Sequence, residues 1–165
     1  MSISVFYRLC YDITKKGWLC LDTINSDDEK ETFVCNVNND ILEFRHPLTQ
    51  SYIELKFQDN RCYLNFLHAG NELGKGEGTR TLNMLLSLCD KHSITLELMT
   101  YSSIKMPQHA QRIYNFYRKF GFIFDTTHED YTDIKAEHEL TDDEFLYGIP
   151  MIRQPESKHA SLLNH

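Results

Sequence analysis

Glycine spacing is the first chemical signal in this chain. Gly70 is followed by Gly74, Gly76 and Gly78 at every second position, just before a run in which Leu82, Leu85, Leu86 and Cys89 recur at i, i+3, i+4 and i+7. That recurrence marks one face of a helix, so the glycines sit at a helix N-terminus. There the first amides have no carbonyl to bond and the macrodipole is positive, while glycine puts no side chain between a ligand and the backbone. Such an end takes anions, phosphate above all.

The elements on either side must position that turn. Residues 62–68 are aromatic and aliphatic without Gly or Pro, which predicts a strand buried on both faces. Residues 94–101 predict a second strand. Strand, glycine turn, helix and strand then form a β-α-β crossover, right-handed, with the two strands parallel.

Spacing sorts the phosphate-binding patterns. A Walker loop has four residues between its first glycine and the Gly-Lys pair, followed by Ser or Thr. Here three residues separate Gly70 from Gly74-Lys75, and Gly76 follows. A dinucleotide fingerprint needs GxGxxG, whereas Gly74 to Gly78 read GxGxG with Thr79 next. Glu97 falls near the distance of a ribose ligand but inside a strand. A nucleotide-binding domain therefore stays as a weaker alternative, one that needs a parallel sheet throughout.

Two segments carry a resemblance. Leu73-Gly74-Lys75-Gly76-Glu77-Gly78 resembles the (Gln/Arg)-x-x-Gly-x-(Gly/Ala) signature of the GNAT superfamily of N-acetyltransferases, with Leu73 where that family has Gln or Arg. Residues 112–122, RIYNFYRKFGF, resemble its second signature, a helix ending in Phe-Tyr-x-Lys-x-Gly-Phe, with Tyr117 at the tyrosine. The match spans roughly residues 61–153.

The resemblance implies an α+β fold: a mixed, mostly antiparallel sheet with a central β-α-β unit that binds acetyl-CoA. It implies acetyl transfer to a primary amine by direct attack in a ternary complex, where joint burial supplies proximity. Amides of Gly74, Lys75, Gly76, Glu77, Gly78 and Thr79 would hold the pyrophosphate. Phe66 and His68 would occupy strand positions whose backbone pairs with pantetheine, one N–H polarising the thioester carbonyl. Tyr117 would be the general acid for the departing thiolate.

The same residues have plainer readings. Tyr117 lies on the face of Ala110, Ile113, Tyr114 and Phe120, where a core aromatic belongs. His68 reads as a structural histidine, and Lys75 and Arg80 as solvated cations or phosphate partners. Glu77 suits a helix N-terminus but would repel phosphate, so it is expected to point away. The general base is open among Glu97, Glu54, His68 and a water chain. An inactive module with this fold, holding acyl-CoA or a protein partner, is the alternative to an enzyme.

Composition narrows the classes. The chain has 165 residues, enough for one domain with its own core, and 41% are hydrophobic. Seventeen Lys and Arg against 24 Asp and Glu give a net charge of −7, which disfavours nucleic-acid binding and suits a cationic acceptor. The five cysteines, Cys10, Cys20, Cys35, Cys62 and Cys89, form no CxxC pair and read as buried small hydrophobes. The eight histidines show no ligand spacing, so no metal is expected. With no signal or membrane-span pattern, a cytoplasmic monomer or homodimer is expected.

Along the chain, residues 3–58 predict short strands in an antiparallel meander, with helical character only at residues 26–31. Pro107 predicts the start of a helix that Gly121 ends. Residues 125–144 read as a solvated acidic loop that could guide a cationic amine through Asp130, Asp133 and Glu137. Thr141 and Glu144 have capping-box spacing, and residues 145–152 predict the last strand. Residues 1–153 form the expected single domain and residues 154–165 an expected mobile tail.

Overall fold

The computed structural model describes residues 1–21, 41–71, 74–101, 105–128 and 140–156. Leu73, residues 26–31 and 32–37, Cys35, the carboxylates Asp130, Asp133 and Glu137, and residues 157–165 lie outside that set. The chain divides into two compact units, residues 1–94 with 155–165, and residues 95–154.

The first unit opens with helix α1 (Ile3–Lys15). This corrects the expected β-rich start and the expected lack of an early helix. Ile3, Val5, Phe6 and Tyr7 favour strands, yet Phe6, Leu9, Cys10 and Ile13 recur at helical spacing and all four are buried. Burial of one face outweighs propensities worth tenths of a kilocalorie each.

Strands β1 (Leu19–Cys20), β2 (Ile41–Arg45), β3 (Tyr52–Gln58) and β4 (Arg61–His68) follow, each antiparallel to the next. Leu42, Phe44, Ile53, Leu55, Cys62 and Leu64 form the buried face. The ring of Phe6 stacks on Phe57 with centroids 5.3 Å apart, fixing α1 to β3. Asp59 and Asn60, both at positive φ, make the tight β3–β4 turn. Helix α2 (Glu77–His92) buries Leu82, Leu85, Leu86 and Cys89, as its spacing predicts.

Strand β4 is not buried on both faces. The β3–β4 register pairs Glu54 with Phe66 and Leu55 with Leu64, leaving Asn65 as an extra residue, a β-bulge. The bulge changes the phase of alternation: Cys62 and Leu64 point inward, while Asn65, Phe66 and His68 are exposed.

The second unit contains β5 (Leu96–Met99), α3 (Pro107–Arg118), β6 (Ile123–Phe124), α4 (Asp142–Tyr147) and β7 (Pro150–Arg153). Strand β7 pairs antiparallel with both β5 and β6. Pro107 begins α3, and Gly121, at φ +82°, ends the turn after it. The capping box on Thr141 and Glu144 is complete and starts α4. Phe145 and Tyr147 therefore lie in a helix, and the final strand begins only at Pro150; Gly148, at φ +100°, ends the helix. Asp125, expected in a solvated loop, is buried, and its Oδ1 accepts from the Thr127 amide at 2.9 Å and hydroxyl at 2.7 Å. The described strands form only antiparallel ladders within each unit, so the fold is a mixed, mostly antiparallel α+β one.

Candidate functional site

The glycines at the head of α2 divide by role. Gly70, at φ +78°, packs against the β2–β3 turn, where Asn71 N donates to Thr49 O at 3.2 Å and the Ser51 hydroxyl donates to Ala69 O at 3.3 Å. It is a structural glycine. Gly74 and Gly76, at φ +82° and +83°, are exposed, and a Cβ on Gly74 would meet nothing within 4 Å. Their left-handed backbone suits glycine, and it leaves open space beside the chain.

Gly76 is the N-cap of α2 and offers no side chain to the first amides. The Arg80 amide bonds Gly76 O at 3.0 Å, closing the first turn. The amides of Glu77, Gly78 and Thr79 precede that bond, and such leading amides lack intrahelical acceptors. Three N–H groups at the positive end of a 16-residue helix, beside two open glycines, fit a pyrophosphate.

Glu77 is paired with a cation at the head of the helix. Its carboxylate pairs with the Arg80 guanidinium, which also donates to Lys75 O at 3.1 Å. The Arg80 hydrogen bond, with smaller help from the charges of Arg80 and His46, holds the Glu77 carboxyl below its usual range. Arg80 is thereby engaged within the loop. Lys75 and Thr79 are exposed.

Strand β4 precedes this loop in the chain and carries Phe66 and His68 on its exposed face. Their rings lie parallel, 6.4 Å apart. His68 Nδ1 accepts from the Gly70 amide at 3.0 Å, so its ring helps to shape the turn. That is a structural task for the side chain.

Across the β3–β4 ladder, Tyr52 opposes His68 and Glu54 opposes Phe66. The Tyr52 hydroxyl donates to Glu54 Oε2 at 3.1 Å, and the Asn65 amide donates to Glu54 Oε1. Tyr52 and Phe66 meet edge to face at 5.8 Å. Burial first, then the hydrogen bond and charge of Glu54, push the Tyr52 phenol well above its usual range. Tyr52 was absent from the sequence-level candidates; its signal was the Tyr-x-Glu spacing, which puts both side chains on one strand face.

Tyr117 lies in the second unit, on α3, half-buried against Phe116 and Phe122 at centroid distances of 5.3 and 5.5 Å. Burial pushes its phenol up to about 12. Glu97 is buried in β5 of the same unit. Among the described residues, no group of three or more His, Cys, Asp or Glu is arranged to hold a metal, and no helix is long and apolar enough to cross a membrane.

The fold and the loop together define an α+β protein with a glycine turn in left-handed backbone at the head of a helix. No protein-family model and no curated protein matches the chain. Among solved structures it is similar to a GNAT-family acetyltransferase from Bacteroides thetaiotaomicron, at 18% identity over 74% of this chain and a TM-score of 0.48. The chain spans 66% of that protein's length. It is also similar to Arabidopsis thaliana Naa50, solved in complex with the bisubstrate analogue CoA-Ac-MVNAL, at 16% identity over 92% of this chain and 93% of that one, with a TM-score of 0.42.

Proposed function

We propose that this protein transfers an acetyl group from acetyl-CoA to a primary amine, of cationic character, by direct attack in a ternary complex. The observation that carries the reading is the turn at Gly74 and Gly76, whose left-handed, open backbone stands at the head of α2.

In this reading the amides of residues 74–79 hold the pyrophosphate. The backbone of Phe66 and His68 receives the pantetheine arm, and one N–H stabilises the oxyanion formed at the thioester carbonyl. The amine nitrogen forms the C–N bond as the C–S bond breaks, and Tyr117 gives its proton to the thiolate. A phenol kept protonated by burial suits that donor role.

Calorimetric titration with acetyl-CoA, with NAD and ATP as controls, is the test. Micromolar binding of acetyl-CoA alone, followed by thiol release in the presence of amines, is expected. Binding without turnover would favour an acyl-CoA-binding module, and binding of NAD alone would overturn the reading.

A further inference from the structure

We propose that Glu54, held by Tyr52 and Asn65, accepts the proton of the incoming amine. The inference rests on the acetyl-transfer reading above and assigns its missing base.

The argument is one of position. Acetyl transfer needs a proton acceptor beside the strand that lines the thioester. Glu54 stands directly across the ladder from Phe66, on the face where the bulge at Asn65 exposes Phe66 and His68. Of the other side-chain candidates, Glu97 is buried, and His68 has its Nδ1 committed to the Gly70 amide. Glu54 keeps both oxygens oriented by one donor each, from Tyr52 and Asn65. A carboxylate oxygen carries more than one lone pair, so each still has room for an ammonium proton.

The setting also suits an alkylammonium. Phe66, across the ladder from Glu54, is 51% exposed and offers an apolar, π-rich surface to the carbon chain and its charge. Tyr52 remains a phenol that donates to Glu54, which keeps the carboxylate in place as an acceptor.

The step balances as follows. An ammonium N–H bond breaks and its proton moves to a Glu54 oxygen. The freed lone pair forms the C–N bond, and the C–S bond breaks with its electrons on sulfur. The thiolate takes the Tyr117 proton, which the second nitrogen proton replaces, and Glu54 passes its own proton to water. Ammonium and acetyl-CoA give the amide, coenzyme A thiol and one proton.

Glu54→Gln keeps the side chain's size, one acceptor oxygen for Asn65 and an amide nitrogen that can donate to the Tyr52 hydroxyl oxygen, while removing the proton acceptor. Glu43 faces Glu54 across the β2–β3 ladder, and like charges so placed destabilise a sheet, so this variant should melt no lower than the wild type. With n-butylamine, putrescine and phenethylamine as probes, it should bind acetyl-CoA within about twofold of wild type and lose about 100-fold in kcat, the usual worth of a general base. Glu54→Asp should recover part of the rate.

Turnover of E54Q within a few-fold of wild type would overturn the inference, as would an equal loss of acetyl-CoA affinity. If wild type binds acetyl-CoA but acetylates none of the three amines, the inference falls and the cofactor reading stands. If acetyl-CoA does not bind at all, both fall.

Discussion

A methyl group placed on Gly70 would lie 2.1 Å from the carbonyl oxygen of Thr49. The atoms it meets are all backbone, with Ser51 N at 2.7 Å and the Gln50 carbonyl carbon at 2.9 Å on the same side, so no side chain can swing away. Gly70→Ala should therefore destabilise the protein by about 3 kcal/mol, through the clash and the strain of positive φ. Urea denaturation measures this directly.

Gly74 shares the left-handed φ of Gly70 but meets nothing within 4 Å. Gly74→Ala should cost only about 1 kcal/mol of stability. Its larger effect should be on ligand, because turning or covering one amide removes a charge-assisted hydrogen bond worth about 1.5–3 kcal/mol. Acetyl-CoA affinity should fall by roughly 10- to 100-fold, read by calorimetry. The two alanine variants thus separate a glycine that holds the loop from one that serves its ligand.

Elements set by local signals were legible in the sequence. The helix after the glycine turn, the proline that starts α3 and the capping box on Thr141 each depend on residues within a few positions of one another. Helix α1 was misread because its strand-forming residues masked the spacing of Phe6, Leu9, Cys10 and Ile13. The exposed face of β4 was illegible for a different reason. A bulge exists only relative to the partner strand, and the extra residue at Asn65 is defined by its register with β3. The Tyr52–Glu54–Phe66 grouping depends on that register too. The distinct role of Gly70 depends on a turn 20 residues earlier in the chain, roughly the separation at which composition has nothing to say.

Asp12 ties α1 to the end of α2. Its Oδ2 accepts from Lys91 Nζ at 2.5 Å and His92 Nε2 at 2.8 Å. The hydrogen bond from Lys91 first, then that from His92, holds the Asp12 carboxyl below the usual carboxylate range. A lowered carboxyl contributes stability above its unfolded pKa and loses it as pH falls through the folded one. Asp12→Asn should therefore lose at most about 1 kcal/mol at neutral pH, the group being partly solvated. The gap from wild type should close progressively below about pH 4, as thermal melts across that range would record.

Tyr117 joins stability and chemistry in one hydroxyl. Burial raises its phenol to about 12, so between the ordinary tyrosine value of about 10 and that point the unfolded chain loses a proton that the folded chain keeps. Stability must fall as pH rises through this window. Tyr117→Phe removes the group and should flatten that alkaline loss while leaving the contacts with Phe116 and Phe122 in place. At neutral pH the same variant should bind acetyl-CoA as wild type does and lose about 100-fold or more in kcat, because the thiolate then departs without its acid. Unchanged turnover together with the flattened alkaline melt would make Tyr117 a core aromatic and nothing more.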